Sequence, residues 1–380
     1  MTEIFKAAIK RGASDIHIKS GDVVRARING ELVRLTEERM NRDQVKELAR
    51  KLLPESAPER DNIDALHDYD CAWSLPGLGR FRVNILRQRG SFMIVLRVIP
   101  FEVPTIDELD LPEVLKTISD HERGLILVTG VTGSGKSSTM AAMVSAINRA
   151  KPFHVVTLEN PIEFLHRDYK ASITQRDIGS DTESFKMGLR ASLRQDPDVI
   201  LVGEMRDKET IDIALRAAET GHLVISTVHT KNAVQTLSRL IAVFDADEQA
   251  MIRIRLSESL QAVISQRLIP RKSGGRIAAV EVMRVTGTIR DCIADKDRMD
   301  EIFGLMESGR SQYGSQSFDQ HLMQLVEGDV VDFKVAMAAA NNPADFDLQM
   351  NTFGARTGGG QAGEPSQDMS GEMNQMFGGR

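Results

Sequence analysis

One stretch decides how this chain folds: Gly130-Val131-Thr132-Gly133-Ser134-Gly135-Lys136-Ser137. It fits the pattern G-x-x-x-x-G-K-[ST], in which glycines let backbone N–H groups approach phosphate oxygens and a helix N-terminus adds partial positive charge. The apolar run 125–129 predicts a buried strand before it, and 137–148 predicts a helix with one apolar face after it. This strand, loop and helix order indicates a nucleoside triphosphate site for ATP or GTP.

The residues of this loop have separate expected tasks. The Lys136 ammonium group should contact the β- and γ-phosphates, and the Ser137 hydroxyl should ligate Mg²⁺. We expect nucleotide contacts from Gly130, Thr132, Gly133, Ser134, Gly135, Lys136, Ser137 and Ser138.

Apolar segments recur after the loop, at 155–158, 199–202 and 223–227, and alternate with helical or irregular sequence. Near-continuous apolar strands indicate a sheet that is covered on both faces, hence a mainly parallel α/β core. We therefore predict one α/β domain over 113–350, in which residues 247–340 are mostly helical.

Residues 1–99 have the pattern of a small α+β domain. Asn29-Gly30 between two strand-like segments is a strong hairpin signal. The expected elements are strands at 14–18, 24–28, 31–35, 79–84 and 92–97 and a helix at 42–53. Two prolines in 100–104 interrupt both periods, so 100–112 is predicted to be an interdomain linker.

The C-terminal segment 351–380 differs in composition from the rest of the chain. It holds eight glycines in thirty residues and few branched aliphatic residues. Such a segment buries too little apolar surface to offset the entropy of ordering. We expect it to be disordered.

The composition excludes several classes of protein. The net charge of −6 argues against a generic nucleic-acid binder, and no run approaches the ~20 apolar residues that span a bilayer. Cys71 and Cys292 are far apart and have no histidine at ligand spacing, which argues against a zinc site or a disulfide framework. A reducing, cytoplasmic setting is expected, with any membrane association made through a protein partner.

Two acidic residues follow apolar strands, where ligands of open parallel sheets bind. Glu204 comes after the strand 199–202 and is a candidate to bind Mg²⁺, directly or through water, or to orient the nucleophile. Glu163 follows the turn at Pro161 and is the better candidate for the general base. From the residues alone, the alternative is that Glu163 is a surface acid without a catalytic role.

Two histidines and several arginines complete the candidate site. His229 lies at the carboxyl end of the strand 223–227 and is a candidate to contact the γ-phosphate, whereas His222 at the other end is expected to pack. Arg82 and Arg97 alternate on neighbouring strands before the linker, so closure of the two domains would bring them against the nucleotide.

At these residues the chain resembles the secretion and pilus traffic ATPases, and most closely the retraction ATPases of type IV pili. The resemblance covers roughly residues 1–350. It is carried by Ser14-Asp15-Ile16-His17, the 130–137 loop, the acidic box 157–164, residues 193–204 and the histidine box 220–230. The last four of these segments, in this order, are more specific than the phosphate loop alone.

The resemblance implies a PAS-like N-terminal domain, a RecA-like ATPase domain and a homo-hexameric ring in the cytoplasm, recruited to an inner-membrane platform protein at the pilus base. It implies ATP and Mg²⁺ as ligands, and pilus retraction with twitching motility as the function. By the same resemblance Glu163 is the catalytic carboxylate and Glu204 the Walker B acid. His229 is then the sensor, and Arg82 and Arg97 are the N-domain arginines at the nucleotide.

Two departures keep alternatives open. Asn160 stands where the family usually has a second acid, and 288–295 retains only the Ile-Arg core of the retraction signature A-I-R-x-L-I-R-E. These departures motivate an accessory role, in which the chain binds ATP and supports a paralogous motor ring. A DNA-translocating RecA-like motor is a further alternative, which the net charge argues against.

Overall fold

The computed structural model describes residues 1–357 except 29, 56, 76, 78, 100 and 101, and for 353–357 the backbone alone. Its N-terminal part is a six-stranded antiparallel sheet in the order β3-β2-β1-β6-β5-β4. The strands are β1 (Ala13–Lys19), β2 (Val23–Ile28), β3 (Glu31–Arg39), β4 (Asp68–Leu75), β5 (Gly79–Gln88) and β6 (Ser91–Ile99). Every strand predicted in this region is present, and β4 is an additional one.

Two helices cover one face of this sheet: α1 (Thr2–Lys10) and α2 (Arg42–Leu52). Helix α2 begins at a capping box in which the Asn41 side chain accepts from Gln44 N and the Gln44 side chain accepts from Asn41 N. Phe5 packs against Phe81 and Trp73 with ring centroids 5.6 Å apart. The opposite face is polar, because side chains alternate between the two faces of a strand.

The second part is a seven-stranded sheet in the order β13-β12-β7-β11-β10-β8-β9. Its strands are β7 (Gly124–Thr129), β8 (His154–Glu159), β9 (Ser172–Asp177), β10 (Val199–Val202), β11 (Leu223–Val228), β12 (Leu260–Pro270) and β13 (Arg276–Arg284). Neighbouring strands are parallel except β12 and β13. The predicted mainly parallel α/β core is confirmed.

Helices pack on both faces of this sheet and continue after it. They are α3 (Val114–Ser119), α4 (Lys136–Ala150), α5 (Phe185–Ser192), α6 (Lys208–Glu219), α7 (Ala233–Ala242) and α8 (Gln249–Ser259). The C-terminal helices are α9 (Gly287–Ala294), α10 (Glu301–Ser308), α11 (Arg310–Tyr313), α12 (Phe318–Glu327), α13 (Phe333–Ala339) and α14 (Pro343–Thr357). Strands β7, β10 and β11 are buried along their whole length, which explains why their sequences contain no charged residue.

Two expectations need correction. The region 247–340, predicted to be mostly helical, does contain several helices, but it also includes β12 and β13, which extend the sheet beyond β7. Both strands are almost entirely buried, so they lack the alternation that distinguishes a strand from a buried helix. Residues 351–357 were assigned to a disordered tail, but they continue helix α14.

Other predictions fall partly outside the described residues. These are the tail over 358–380, Asn29 of the predicted hairpin turn, and Pro100 and Phe101 of the predicted linker. In the part of the chain that the structure describes, no helix combines the length and the apolarity needed to span a bilayer.

Candidate active site

The N-terminal sheet meets the carboxyl ends of the parallel strands at a cavity of about 560 Å³. Four elements of the second domain contribute: the loop after β7, the segments after β8 and β10, and the end of β11. The lining includes Thr132, Gly133, Lys136, Ser137, Asn160, Glu163, His166, Glu204, Arg206 and His229, with Asp70 and Arg82 from the first domain. The cavity therefore joins most of the predicted site residues, from both domains.

The loop 130–137 has the geometry of a phosphate cradle. Gly130, Gly133 and Gly135 have φ values of +145°, +78° and +93°, which residues with a Cβ rarely adopt. A Cβ at Gly130 would also lie 2.6 Å from the Gln266 carbonyl oxygen. Glycine is therefore required here for steric as well as conformational reasons.

Lys136 lies at the base of this cradle with only 8% of its surface exposed. Its Nζ donates to the carbonyl oxygens of Gly130 and Val131, each at 3.0 Å. Burial lowers the pKa of the ammonium group, while the charges of Glu163 and Glu204 act in the opposite direction. The two carbonyl groups offer the ammonium group only the partial negative charge of their dipoles. A bound phosphate group would offer it a full negative charge.

Glu204 occupies the turn after β10 and contacts two neighbours. Its Oε2 lies 2.8 Å from Arg206 Nη2 and 3.4 Å from His229 Nε2. Because β10 and β11 are parallel neighbours, their carboxyl ends bring Glu204 and His229 together. Arg206 was missed by the sequence reasoning, since a single arginine after an acidic residue carries no distinctive signal.

The acidic box contains two glutamates in different surroundings. Glu159 is the last residue of β8 and accepts hydrogen bonds from Thr157 Oγ1 at 2.7 Å and Gln175 Nε2 at 3.1 Å. Burial raises the pKa of Glu159, and these hydrogen bonds partly oppose that effect. Glu163 is exposed to the cavity, as its predicted role as general base requires.

An ion pair joins the two domains beside the acidic box. Arg80 Nη2 of β5 donates to Asp177 Oδ2 of β9 at 2.9 Å, and both side chains are largely buried. Asp177 Oδ2 also accepts from the backbone N–H of Ile162 at 3.4 Å. Burial raises the pKa of Asp177, although Ile162 N–H and Arg80 favour the ionised form. Asp177 was missed from the sequence because it lies in a polar segment without a motif.

The two N-domain arginines differ in position. Arg82 and Arg97 are register partners on β5 and β6. Arg82 lines the cavity, whereas Arg97 Nε donates to Asp15 Oδ1 at 3.0 Å and does not belong to the cavity wall. The structure thus brings only Arg82 into this cavity, and both assignments stay predictions.

The lining suits the phosphate groups of a nucleotide. Ser134 Oγ is buried without a hydrogen-bond partner among the described residues, so its hydroxyl group is free to donate to a phosphate oxygen. No cluster of three or more His, Cys, Asp or Glu side chains able to hold a metal occurs in the described part of the chain. The predicted magnesium ligands Ser137 and Glu204 both line the cavity, and their role stays a prediction.

Residues 1–324 match the family model of type II/IV secretion system proteins. The chain belongs to this family. The type IV pilus retraction ATPase PilT of Pseudomonas aeruginosa is 43% identical to it over 346 residues, which cover 91% of this chain and 99% of that protein. The type IV pilus ATPase PilU of the same organism is 37% identical over 349 residues, covering 92% and 90%.

Solved structures of type II/IV secretion family proteins agree with this assignment. A crystal structure of the pilus retraction motor PilT with bound ADP aligns with a TM-score of 0.84 at 40% identity, covering 92% of this chain and 99% of that one. The predicted combination of an N-terminal sheet domain with a parallel-sheet ATPase domain is therefore confirmed, as is the resemblance on which it was based.

Proposed function

We propose that this protein is an ATP-hydrolysing motor that drives type IV pilus retraction. One observation carries the proposal: a single interdomain cavity contains the phosphate loop, Glu163, Glu204, His229 and Arg82. The similarity of this protein to PilT over nearly the whole length of both chains supports pilus retraction as the process that the motor drives.

The chain's own side chains account for binding and hydrolysis. Lys136 exchanges its two carbonyl partners for β- and γ-phosphate oxygens, and Ser134 gains an acceptor. Glu163 accepts a proton from, or orients, the water that attacks the γ-phosphorus. His229 and Arg82 approach the γ-phosphate from opposite domains. A bound magnesium ion would neutralise phosphate charge beside Ser137 and Glu204.

Mechanical work follows from the position of the cavity between domains. Contacts of both domains with the γ-phosphate favour the closed arrangement, and their loss after hydrolysis favours opening. A homo-hexameric ring in the cytoplasm that pulls on an inner-membrane platform protein would convert such closures into pilin removal. Nucleic acid is not expected as a partner, since the net charge is −6.

An accessory role is the second candidate. Asn160, which replaces the usual acid, lies in the wall of the cavity, so the substitution changes the site itself. The similarity to PilU and the altered 288–295 segment also favour it. In this role the protein would bind ATP and support a second ATPase ring, while its own hydrolysis would be dispensable.

Phosphate release by the purified protein tests the enzymatic part. We expect Lys136→Ala and Glu163→Gln to abolish most turnover, with Glu163→Gln retaining ATP. Glu183→Gln makes the same change at an exposed glutamate outside the cavity wall, so it is the matched control and keeps wild-type turnover. Undiminished turnover in Glu163→Gln would remove that residue from its role.

Pilus length and surface motility after gene deletion test the biological part. Long, static pili support retraction, and bald cells contradict it. A strain that carries only Lys136→Ala and still shortens its pili would favour the accessory role over the motor.

A further inference from the structure

A row of buried polar residues crosses the sheet directly behind the phosphate loop. Glu281 of β13, Ser265 of β12 and Thr129 of β7 are consecutive register partners, and the next position in the row is Val228 of β11. The three polar side chains are at most 1% exposed. None of them touches the cavity described above, and no motif of the sequence includes Ser265 or Glu281.

Hydrogen bonds and register pairing connect the members of this row. Thr129 Oγ1 donates to Ser265 Oγ at 3.0 Å, and Ser265 lies beside Glu281, its register partner on β13, where it favours ionisation of the carboxyl group. Glu281 Oε1 accepts from the backbone N–H of Ala233 at 2.7 Å. Since Ala233 is the first residue of α7, the carboxyl group lies at the positive end of that helix.

The row therefore joins the two segments that carry site residues. At one end Thr129 directly precedes Gly130, the first residue of the phosphate loop. At the other end, Ala233 directly follows the short loop 229–232. Val228, which directly precedes this loop, is the last residue of β11 and pairs with Thr129. Both ends of the histidine loop are thus attached to the same row.

We propose that Glu281, together with Ser265, is a positioning residue that fixes the histidine loop 229–232 relative to the phosphate loop. It acts on catalysis through His229 and does not touch substrate. The inference deepens the proposed function and rests on it for the role of His229. It adds a connection inside the subunit that sets where the histidine meets the γ-phosphate.

The energetic cost of the arrangement supports a specific role. A buried carboxyl group loses its hydration, and protein hydrogen bonds must compensate for that loss, whereas an apolar residue at the same position would carry no such cost. Burial raises the pKa of Glu281 to about 7, whereas Ala233 N–H, Ser265 and the charge of Arg267 favour ionisation. Asp319 is the other charged group that influences it, and it disfavours ionisation.

Ser265→Ala breaks the row while leaving the Glu281 contact with α7 in place. Ser119→Ala is the matched control, because Ser119 is equally buried but bonds only Leu115 O of its own helix at 2.7 Å. In the full-length protein we expect Ser265→Ala to lower kcat for ATP about tenfold with KM within about twofold. Ser119→Ala should change neither constant.

A double-mutant cycle separates positioning from general damage. If Ser265 acts through the histidine, adding Ser265→Ala to His229→Ala causes no further loss of kcat. Losses that multiply, or an unchanged kcat in Ser265→Ala alone, would overturn the proposal. If His229→Ala alone keeps full turnover, the role of His229 in the proposed function fails instead.

Hydrogen–deuterium exchange gives a readout that is independent of catalysis. Segment 229–236 should exchange about tenfold faster in Glu281→Ala and Ser265→Ala than in wild type or Ser119→Ala, with the N-terminal sheet unchanged. Equal exchange in all four proteins would show that the row does not hold the loop, whatever the result for His229→Ala.

Discussion

The buried carboxyl group of Glu281 should make the stability of this protein depend on pH in an unusual direction. Its pKa is raised from an ordinary value of 4.5 to about 7 in the folded chain. Between these two values the folded state binds a proton that the unfolded state has released. The contribution of Glu281 to the unfolding free energy is therefore highest below pH 4.5. It falls as the pH rises towards 7 and levels off above that value.

The size of the effect follows from the two values. Between pH 5 and pH 8, a shift from 4.5 to about 7 removes on the order of 2–3 kcal/mol of unfolding free energy. Glu281→Gln cannot ionise and keeps an acceptor for Ala233 N–H. The stability of the variant relative to wild type should therefore improve by on the order of 2–3 kcal/mol between pH 5 and pH 8.

Guanidinium unfolding at both pH values, followed by far-UV circular dichroism, measures this difference. Histidines whose pKa is lowered by burial are common to both proteins, so they cancel. Trp73 is the only tryptophan and lies in the N-terminal core, so its fluorescence monitors a region where variant and wild type should agree. A variant-minus-wild-type difference that is the same at pH 5 and pH 8 would refute the reasoning.

Three further changes have defined outcomes. Gly130→Ala places a Cβ 2.6 Å from the Gln266 carbonyl oxygen and should weaken binding of a fluorescent ATP analogue by on the order of tenfold or more. Gly12 also has a positive φ but has open space around it, so Gly12→Ala should leave this binding unchanged. Arg80→Ala leaves Asp177 buried without its cation and should cost about 3 kcal/mol in denaturant unfolding, much of which the Arg80→Asp, Asp177→Arg exchange should restore. Arg82→Ala should lower kcat/KM about a hundredfold in phosphate-release assays, because the guanidinium faces the cavity; wild-type kinetics would contradict its role.

The parts of the site that could be predicted are those with short-range patterns. The phosphate loop, the acid after β10 and the histidine after β11 each follow an apolar strand, and parallel strands bring their carboxyl ends to one edge. The strand lengths and the loop pattern were therefore enough to place Lys136, Glu204 and His229 together. The prediction for Arg82 needed the additional assumption that the two domains close on each other. In the structure Arg82 lines the cavity between the two domains.

The residues that were missed act across long distances in the chain. Arg80 and Asp177 are 97 positions apart, and Thr129 and Ser265 are 136 positions apart. Neither pair lies in a motif, and the register that joins them exists only after the sheets have formed. Because the region 247–340 is predicted as mostly helical, with no strand named in it, the strand that places Ser265 beside Thr129 is absent from the prediction.

One signal for the buried row was nevertheless present. Glu281 is the single charged residue within the apolar run from Ile277 to Met283. A carboxyl group in such a run has to be buried whether the run is helical or extended, and a buried carboxyl group requires donors. The periodicity of the run concerns only its secondary structure, whereas the isolated acid indicates that another segment must supply N–H or O–H groups. In this protein Ala233 N–H at the start of α7 donates to the carboxyl group and Ser265 of β12 lies beside it, which is the basis for our proposal that this carboxyl group connects the histidine loop to the phosphate loop.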